Sequence, residues 1–134
     1  VVDVATLTGA ASVALGQHAS VVMTRNEELL PKLQAWGEES GDYIWPLPLW
    51  EEFEQYIPGT FGDIANLRAE GNSRHGDAIF AGMFLYQFVK DYPLGVSWVH
   101  IDMAPRMTAA SGDHLSKGAT GEPVRLLLSL LEQF

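Results

Sequence analysis

Two polar side chains, His100 and Asp102, alternate with apolar residues in the segment 96–103. Because alternate side chains of a strand point to the same face, this spacing predicts that both lie on one side of a strand. An imidazole and a carboxylate so placed could form a metal pair, or the carboxylate could orient the histidine. No third ligand follows at a suggestive spacing, and a buried polar pair satisfied by the backbone is the favoured interpretation.

A second candidate site is the segment 6–9, Thr-Leu-Thr-Gly, where a predicted strand meets a predicted helix. Carbonyl groups at such a strand end can accept hydrogen bonds from a substrate amine, and amide groups there can bind an anion. An ordinary strand-to-helix turn uses the same residue types. From the residues alone, the ordinary turn is the preferred interpretation.

Other polar residues give weaker signals. Asp77 is explained as the cap of the helix that follows it, and His75 is a weak candidate for a base. The segment 117–121 resembles an anion-binding loop before a helix but lacks the spacing of a P-loop, so we interpret it as a turn. No carboxylate pair indicates an acid/base dyad, and no nucleophile-elbow motif surrounds any serine. Residues without a predicted partner are His18, His114, Ser12, Ser20 and Ser111.

The elements that must position these residues alternate between strands and helices. In chain order they are strand 1–6, helix 9–15, strand 20–23, a helix after residue 24, an irregular segment 45–50, helix 51–57, helix 78–90, strand 96–103 and a last helix that opens near residue 121. Such alternation is typical of an α/β layered sheet. Three strands are few for that architecture and the chain begins within a strand, so we expect further strands in a longer protein.

Local signals set the predicted boundaries. Thr24 and Glu27 have the spacing of a capping box at the start of a helix, and Gly41 is a predicted stop for that helix. Two prolines at alternate positions in the segment 45–50 exclude a helix and remove ladder donors. We therefore predict that this segment is extended and irregular, with its aromatic side chains packed on the body of the domain.

Composition limits the class of protein. The 134 residues suffice for one domain or part of one, and the 47% hydrophobic and 19% charged content is typical of a globular chain. A formal net charge of −9 argues against a nucleic-acid partner, which requires a basic face. The absence of cysteine excludes disulfides and thiolate metal sites and fits a reducing compartment. No apolar run approaches the roughly 18 residues of a membrane span, so no membrane partner is predicted.

Taken in order, the motifs closely resemble the leucyl aminopeptidase (cytosol aminopeptidase) family. The resemblance covers essentially the whole chain and is carried by the segments DVATLTGAASVALG, GEESGDYIWPLPLWEEFEQYI, DIANL, AIFAGMFLYQFV, WVHIDMA and KGATGEPVRLLLSLLEQF. It implies a three-layer α/β/α fold with a mixed, mostly parallel sheet. It also implies that residues 1–134 are the C-terminal portion of the catalytic domain, and therefore an incomplete sheet.

The resemblance implies a cytoplasmic metallo-aminopeptidase that hydrolyses the N-terminal peptide bond of peptides and assembles as a homo-hexamer. Two divalent ions, Mn or Zn, would bind the free amine and activate a water, with bicarbonate as the proposed base. The family's metal ligands (a Lys, three Asp and a Glu) and its catalytic Lys and Arg all precede the strand at Val1. We therefore expect no metal-binding or catalytic residue within this chain, and no activity from the chain alone.

The resemblance carries over only the substrate-facing residues. Thr6 and Leu7 would offer carbonyl groups to the bound peptide, and Gly9 would offer an amide. The amide of Leu7 would also lie near the bicarbonate. Ala104 and Met107 match positions that line the pocket for the N-terminal side chain.

Three residues depart from the family's pattern. Phe80 stands where the family has a small polar residue, and Pro105 stands where it often has Gly. Arg106 follows and is expected to place a charge beside the side-chain pocket, so a simple preference for leucine is not implied. Two alternatives remain: a non-catalytic assembly or scaffold module of the same fold, and a nucleotide-binding α/β domain. The second is disfavoured because glycine-rich phosphate motifs are missing.

Overall fold

The computed structural model of the protein describes residues 1–68, 75–93 and 96–133. Strands β1 to β4 are Val2–Ala5, Ser20–Met23, Ile44–Pro46 and Val99–Asp102. Helices α1 to α4 are Gly9–Leu15, Leu30–Ser40, Asp77–Tyr86 and Val124–Leu131, and two 3-10 helices span Glu51–Tyr56 and Ala104–Arg106. Apart from β3, the order of strands and helices follows the predicted alternation.

Within the described ranges, the four strands form one mixed sheet in the order β1-β4-β2-β3. Strand β1 is parallel to β4, and β2 is parallel to β3. Strands β2 and β4 run antiparallel, with Val22 opposite Ile101. This arrangement confirms the predicted mixed, mostly parallel α/β sheet.

Strand β3 was not predicted, because it lies in the segment expected to be irregular. It pairs through the Ser20 amide, which donates to the carbonyl of Tyr43 (2.9 Å), and the Leu47 amide, which donates to the carbonyl of Val22 (3.0 Å). An edge strand needs donors only toward its single neighbour, so Pro46 is tolerated there. The aromatic side chains also differ from prediction, since Trp45 and Trp50 are 57% and 61% exposed.

The described residues form two hydrophobic clusters, one on each face of the sheet. One contains Val21 and Met23 of β2 and receives α1 and α3. The other contains Val22 of β2 and receives α2 and α4. The period-two alternation of side chains in β2 thus separates the two helical layers and produces the three-layer arrangement.

Three helix starts differ from prediction, one of them that of α4, which begins at Val124 rather than near residue 121. Helix α2 begins at Leu30 rather than after Thr24, whose hydroxyl accepts a hydrogen bond from the Asn26 amide (3.1 Å) and stabilises a turn instead. Helix α3 is preceded by Gly76 in the left-handed conformation (φ 67°), so Asp77 is not its cap. The predicted stop at Gly41 is confirmed, with φ 75°.

The N-terminus of α4 is held by a distant carboxylate. Pro123 precedes the helix and offers no side-chain cap. Asp42, which is buried, accepts hydrogen bonds from the amides of Arg125 (2.9 Å) and Leu126 (3.1 Å). The Arg125 guanidinium donates to the other oxygen of the same carboxylate. Asp42 therefore joins the loop before β3 to the start of α4. None of the helices in the described ranges is long and apolar enough to cross a membrane.

Candidate functional site

The candidate site lies where β1 and β4 end. Because these two strands are parallel neighbours, with Ala5 opposite Asp102, the segments that follow them leave the sheet at the same edge. One segment is 6–8, which leads into α1, and the other begins at Met103 and forms the 3-10 helix Ala104–Arg106. The 3-10 helix contacts α1 directly. The carboxyl edge of an α/β sheet is where such folds commonly bind ligands.

The carboxylate of Asp102 links the two segments. Its Oδ1 accepts hydrogen bonds from the amides of Leu7 (3.0 Å) and Ala104 (3.1 Å). Its Oδ2 accepts from the amide (3.1 Å) and the hydroxyl (2.7 Å) of Thr8. The Thr8 hydroxyl in turn accepts from the Ala11 amide (3.1 Å) and so caps α1. Asp102 is fully buried, and its charge is compensated by these donors.

His100 and Asp102 therefore do not act as a pair. The favoured interpretation is confirmed for Asp102, whose partners are mainly backbone amides. The Nδ1 of His100 lies 2.5 Å from Oδ1 of Asp3, and the indole of Trp98 donates to Oδ2 of the same carboxylate (2.5 Å). His100 is fully buried, and its Nε2 has no hydrogen-bond partner among the described residues. Asp3 and His100 meet because the pairing of β1 with β4 places them opposite each other. The amino-acid sequences of the two strands do not reveal this register.

The residues present do not fit a metal centre. Within the described ranges, no three His, Cys, Asp or Glu side chains converge on a common point. Asp3 and Asp102 are each committed to donors of the protein itself. The fit of a bicarbonate is also poor, because the Leu7 amide already donates to Asp102 and an anion there would approach a carboxylate.

Two of the residues assigned to the substrate, Leu7 and Ala104, meet at this edge, where their amides donate to the same oxygen of Asp102. Thr6 and Leu7 are exposed between β1 and α1, and Gly9 is the first residue of α1. First-turn amides of a helix have no intrahelical partner, and open space surrounds the Cα of Gly9. Across from them, Ala104 is half-buried and Met107 is exposed.

The expectation that Arg106 places a free charge beside the side-chain pocket is wrong. Its side chain is buried, its Nε donates to Glu122 (2.8 Å), and its Nη1 donates to Asp113 (2.8 Å) and to the carbonyl of Gln17 (2.7 Å). The hydroxyl of Ser20 donates to the other oxygen of Glu122 (3.0 Å). Two carboxylates thus neutralise the guanidinium inside the protein, and the network anchors the segment that follows Met107.

The environment of this network shifts the pKa of each charged member. Burial raises the pKa of Glu122 despite its hydrogen bonds from Arg106 and Ser20. The hydrogen bond from Arg106 lowers the pKa of Asp113. Burial alone would lower the pKa of Arg106, but the hydrogen bonds to Asp113 and Glu122 and the negative charges of these two groups together outweigh it and raise that pKa.

The weaker candidates lie elsewhere. Arg68 bonds the carbonyl of His75 and the carboxylate of Asp77. The segment 117–121 is tied to 106–109: the Ala109 amide donates to the carbonyl of Gly118 (2.9 Å), and Thr108 and Ala119 form an antiparallel bridge, so the segment is a paired loop rather than the predicted turn. Phe80 is buried in the core with the Arg68 guanidinium 5.5 Å from its ring centroid. His18, His114 and Ser111 are exposed, Ser12 is half-buried on α1, and Ser20 is buried with its hydroxyl bound to Glu122.

An open mixed sheet with helices on both faces defines an α/β domain, and the two linked segments at one strand-end edge are its candidate site. The chain belongs to the cytosol aminopeptidase family. The sequence profile of that family's catalytic domain matches residues 1–128.

Individual relatives agree with this assignment. A probable cytosol aminopeptidase of Histophilus somni (strain 129Pt) is 46% identical over 131 residues, which are 98% of this chain and 24% of that protein. One of Alcanivorax borkumensis is 42% identical over 98% of this chain and 25% of that protein. The chain therefore spans about a quarter of the length of these relatives.

Solved structures of the family have the same fold. A mutant of tomato leucine aminopeptidase superposes with a TM-score of 0.84 at 31% identity, over 99% of this chain and 24% of that one. The bottromycin maturation enzyme BotP gives a TM-score of 0.86 at 34% identity, over 98% of this chain and 28% of that one. BotP has also been solved in complex with Mn.

Proposed function

We propose that this chain forms the substrate-binding edge of a metallo-aminopeptidase, and that the complete protein hydrolyses the N-terminal peptide bond of peptides. The single observation that carries the proposal is the convergence of the segments 6–9 and 104–107 at the carboxyl edge of the sheet, in a chain of this family. Residues 1–134 would be the C-terminal portion of the catalytic domain. This proposal is supported by the length of the chain, which is only about a quarter of the length of its relatives.

Each residue of the edge has a proposed role. The carbonyls of Thr6 and Leu7 accept hydrogen bonds from N–H groups of the bound peptide, and the amide of Gly9 donates to one of its carbonyls. Ala104 and Met107 line the pocket for the N-terminal side chain. Met107 is flexible and 52% exposed, which suits an apolar contact that adapts to different side chains.

The metals would be held by residues outside this chain. Two divalent ions, Mn or Zn, would supply an activated water and charge stabilisation when bound. The complex of BotP with Mn supports manganese in a relative of similar fold. Because the described residues hold no cluster of metal ligands, we propose that the chain alone is inactive. We do not assign bicarbonate to the Leu7 amide, which already donates to Asp102.

The remaining proposals concern the oligomeric state of the complete protein and its location in the cell. A homo-hexamer that acts on peptides in the cytoplasm is consistent with the family, whose members are named cytosol aminopeptidases. The net charge of −9 is compatible with a soluble enzyme that does not bind nucleic acid. Size-exclusion chromatography with light scattering on the complete polypeptide measures the assembly directly.

Release of a chromogenic group from a leucine anilide tests the proposed activity. The complete polypeptide is assayed with Mn or Zn, and again after chelation, beside the isolated 134 residues. We expect metal-dependent turnover by the complete polypeptide and none by the isolated chain. Turnover by the isolated chain would contradict the proposed division of the site. A folded, metal-loaded but inactive complete polypeptide would favour the scaffold alternative.

A further inference from the structure

Asp102 occupies a special position at the substrate edge. It is the last residue of β4, it is fully buried, and the role assigned to the edge does not use it. Its two oxygens bind donors from Leu7 and Thr8, about 95 positions away in sequence, and from Ala104. One carboxylate therefore fixes both segments of the edge relative to each other.

These hydrogen bonds determine where the carbonyls of the turn point. In a trans peptide the N–H and C=O groups point in opposite directions. Both peptide bonds of the 6–8 turn are trans. Because the Leu7 N–H points at Asp102, the Thr6 carbonyl of the same peptide group points away from Asp102. Because the Thr8 N–H also points at Asp102, the Leu7 carbonyl likewise points away from it. The buried carboxylate thus turns two acceptors toward the exposed side of the edge.

We propose that Asp102 is a positioning residue that aims the carbonyls of Thr6 and Leu7 at the peptide substrate. The inference rests on the proposed aminopeptidase function. Asp102 does not touch the substrate, since its oxygens are occupied by the donors of the turn. It acts by holding the turn in the orientation that binds the peptide, so the free enzyme does not reorganise when substrate arrives.

The carboxylate of Asp102 can accept all four of these hydrogen bonds, whereas the side-chain amide of asparagine cannot. Oδ1 faces two N–H donors, and Oδ2 faces one N–H and one O–H donor. Asparagine has one acceptor oxygen and one NH2 group, so its NH2 would face either the amides of Leu7 and Ala104 or the amide and hydroxyl of Thr8, and the hydrogen bonds donated on that side would be lost. The substitution Asp102→Asn keeps the size of the side chain but breaks the bonds to either Leu7 and Ala104 or to Thr8.

The test uses D102N in the complete polypeptide, with metal, on a leucine-initiated tripeptide. We expect KM to rise about tenfold or more while kcat stays within about threefold, because ground-state binding is lost rather than chemistry. Amide hydrogen exchange of residues 7 and 8 should accelerate. The matched control, Asp91→Asn, changes an exposed carboxylate and should leave both readouts unchanged.

An unchanged KM in D102N, or unchanged exchange at residues 7 and 8, would overturn the inference. If D102N does not fold, Thr8→Val carries the test: it removes the cap and the 2.7 Å hydroxyl bond, the shortest of the four to Asp102, and so weakens the hold of the carboxylate on the turn although the amide bonds remain. A raised KM in Thr8→Val that Thr8→Ser restores supports the proposal, and a wild-type KM overturns it. Absence of turnover in the wild-type complete polypeptide would instead refute the proposed function, and so is distinguishable.

Discussion

Replacing Asp42 by alanine should destabilise the protein more than any exposed acidic substitution. The carboxylate is 1% exposed and accepts from the first-turn amides of α4 at Arg125 and Leu126. Pro123, which precedes the helix, has no side-chain group to replace it. In Asp42→Ala, two amides and the positive end of the helix lose their partner.

The magnitude follows from the separate contacts. Loss of a helix cap costs about 0.5–2 kcal/mol, and a hydrogen bond to a charged group contributes about 1.5–3 kcal/mol. The ion pair with Arg125 adds little, roughly 0–1 kcal/mol, because that side chain is 48% exposed. We therefore expect Asp42→Ala to lower the free energy of unfolding by about 2–4 kcal/mol.

Equilibrium unfolding in urea, followed by tryptophan fluorescence, measures the loss. Arg125→Ala is the matched variant, because it removes the ion pair but leaves the carboxylate on both amides, and it should cost no more than about 1 kcal/mol. Asp91→Ala, at an exposed site, controls for the loss of a negative charge. If Arg125→Ala costs as much as Asp42→Ala, or if Asp42→Ala costs under about 0.5 kcal/mol, capping by the carboxylate is refuted.

Three further predictions concern packing and the buried ion network. A Cβ added at Gly82 of α3 would lie 2.3 Å from the sulfur of Met23, so Gly82→Ala should destabilise by about 1–3 kcal/mol in urea unfolding, even though alanine favours helices; increased stability would contradict this packing. Arg106→Met leaves the buried carboxylate of Glu122 without its cation and should cost roughly 3–5 kcal/mol, whereas a loss under about 1 kcal/mol would show that the network relaxes. Stability should depend on pH in two ways. The raised pKa of Glu122 favours its neutral form in the folded state, so the stabilisation is full below the ordinary value of 4.5 and is lost as pH rises through the folded pKa. The lowered pKa of Asp113 gives stabilisation above the ordinary value of 3.8 that is lost as pH falls through the folded pKa. The melting temperatures of Glu122→Gln and Asp113→Asn, measured against pH, test the two contributions. If either variant keeps the pH dependence of the wild type, the contribution of that residue is refuted.

Much of the fold could be predicted from local patterns. Helix Gly9–Leu15 and strand Ser20–Met23 have the predicted bounds, and the other two predicted strands are shorter by one or more residues at each end. These elements depend on runs of apolar residues and on glycine positions, which neighbouring residues encode. Strand β3 was missed because Pro46 and the nearby Pro48 disfavour a strand in general, and only the edge position of β3 in the sheet makes Pro46 acceptable.

The candidate site was less accessible to prediction. The family resemblance placed Thr6, Leu7 and Gly9 at a substrate edge, and the structure joins Leu7 to Ala104 there through the carboxylate of Asp102. Their individual contacts with substrate stay predictions. The expectation for Arg106 was wrong because its partners come from segments distant in sequence, and a single charged residue gives no information about where its counter-charge lies.

By itself, the sequence determined the α/β class, the family, the alternation of strands and helices, and the strand-to-helix turn at 6–9. Only the tertiary structure decided that Asp102 bonds that turn, that Asp3 rather than Asp102 pairs with His100, and that Asp42 caps α4. The physical reason is the range of the interactions. Hydrophobic periodicity and turn preferences act over a few residues, whereas a buried carboxylate finds its donors through strand register and helix packing, which join residues that lie far apart in the chain.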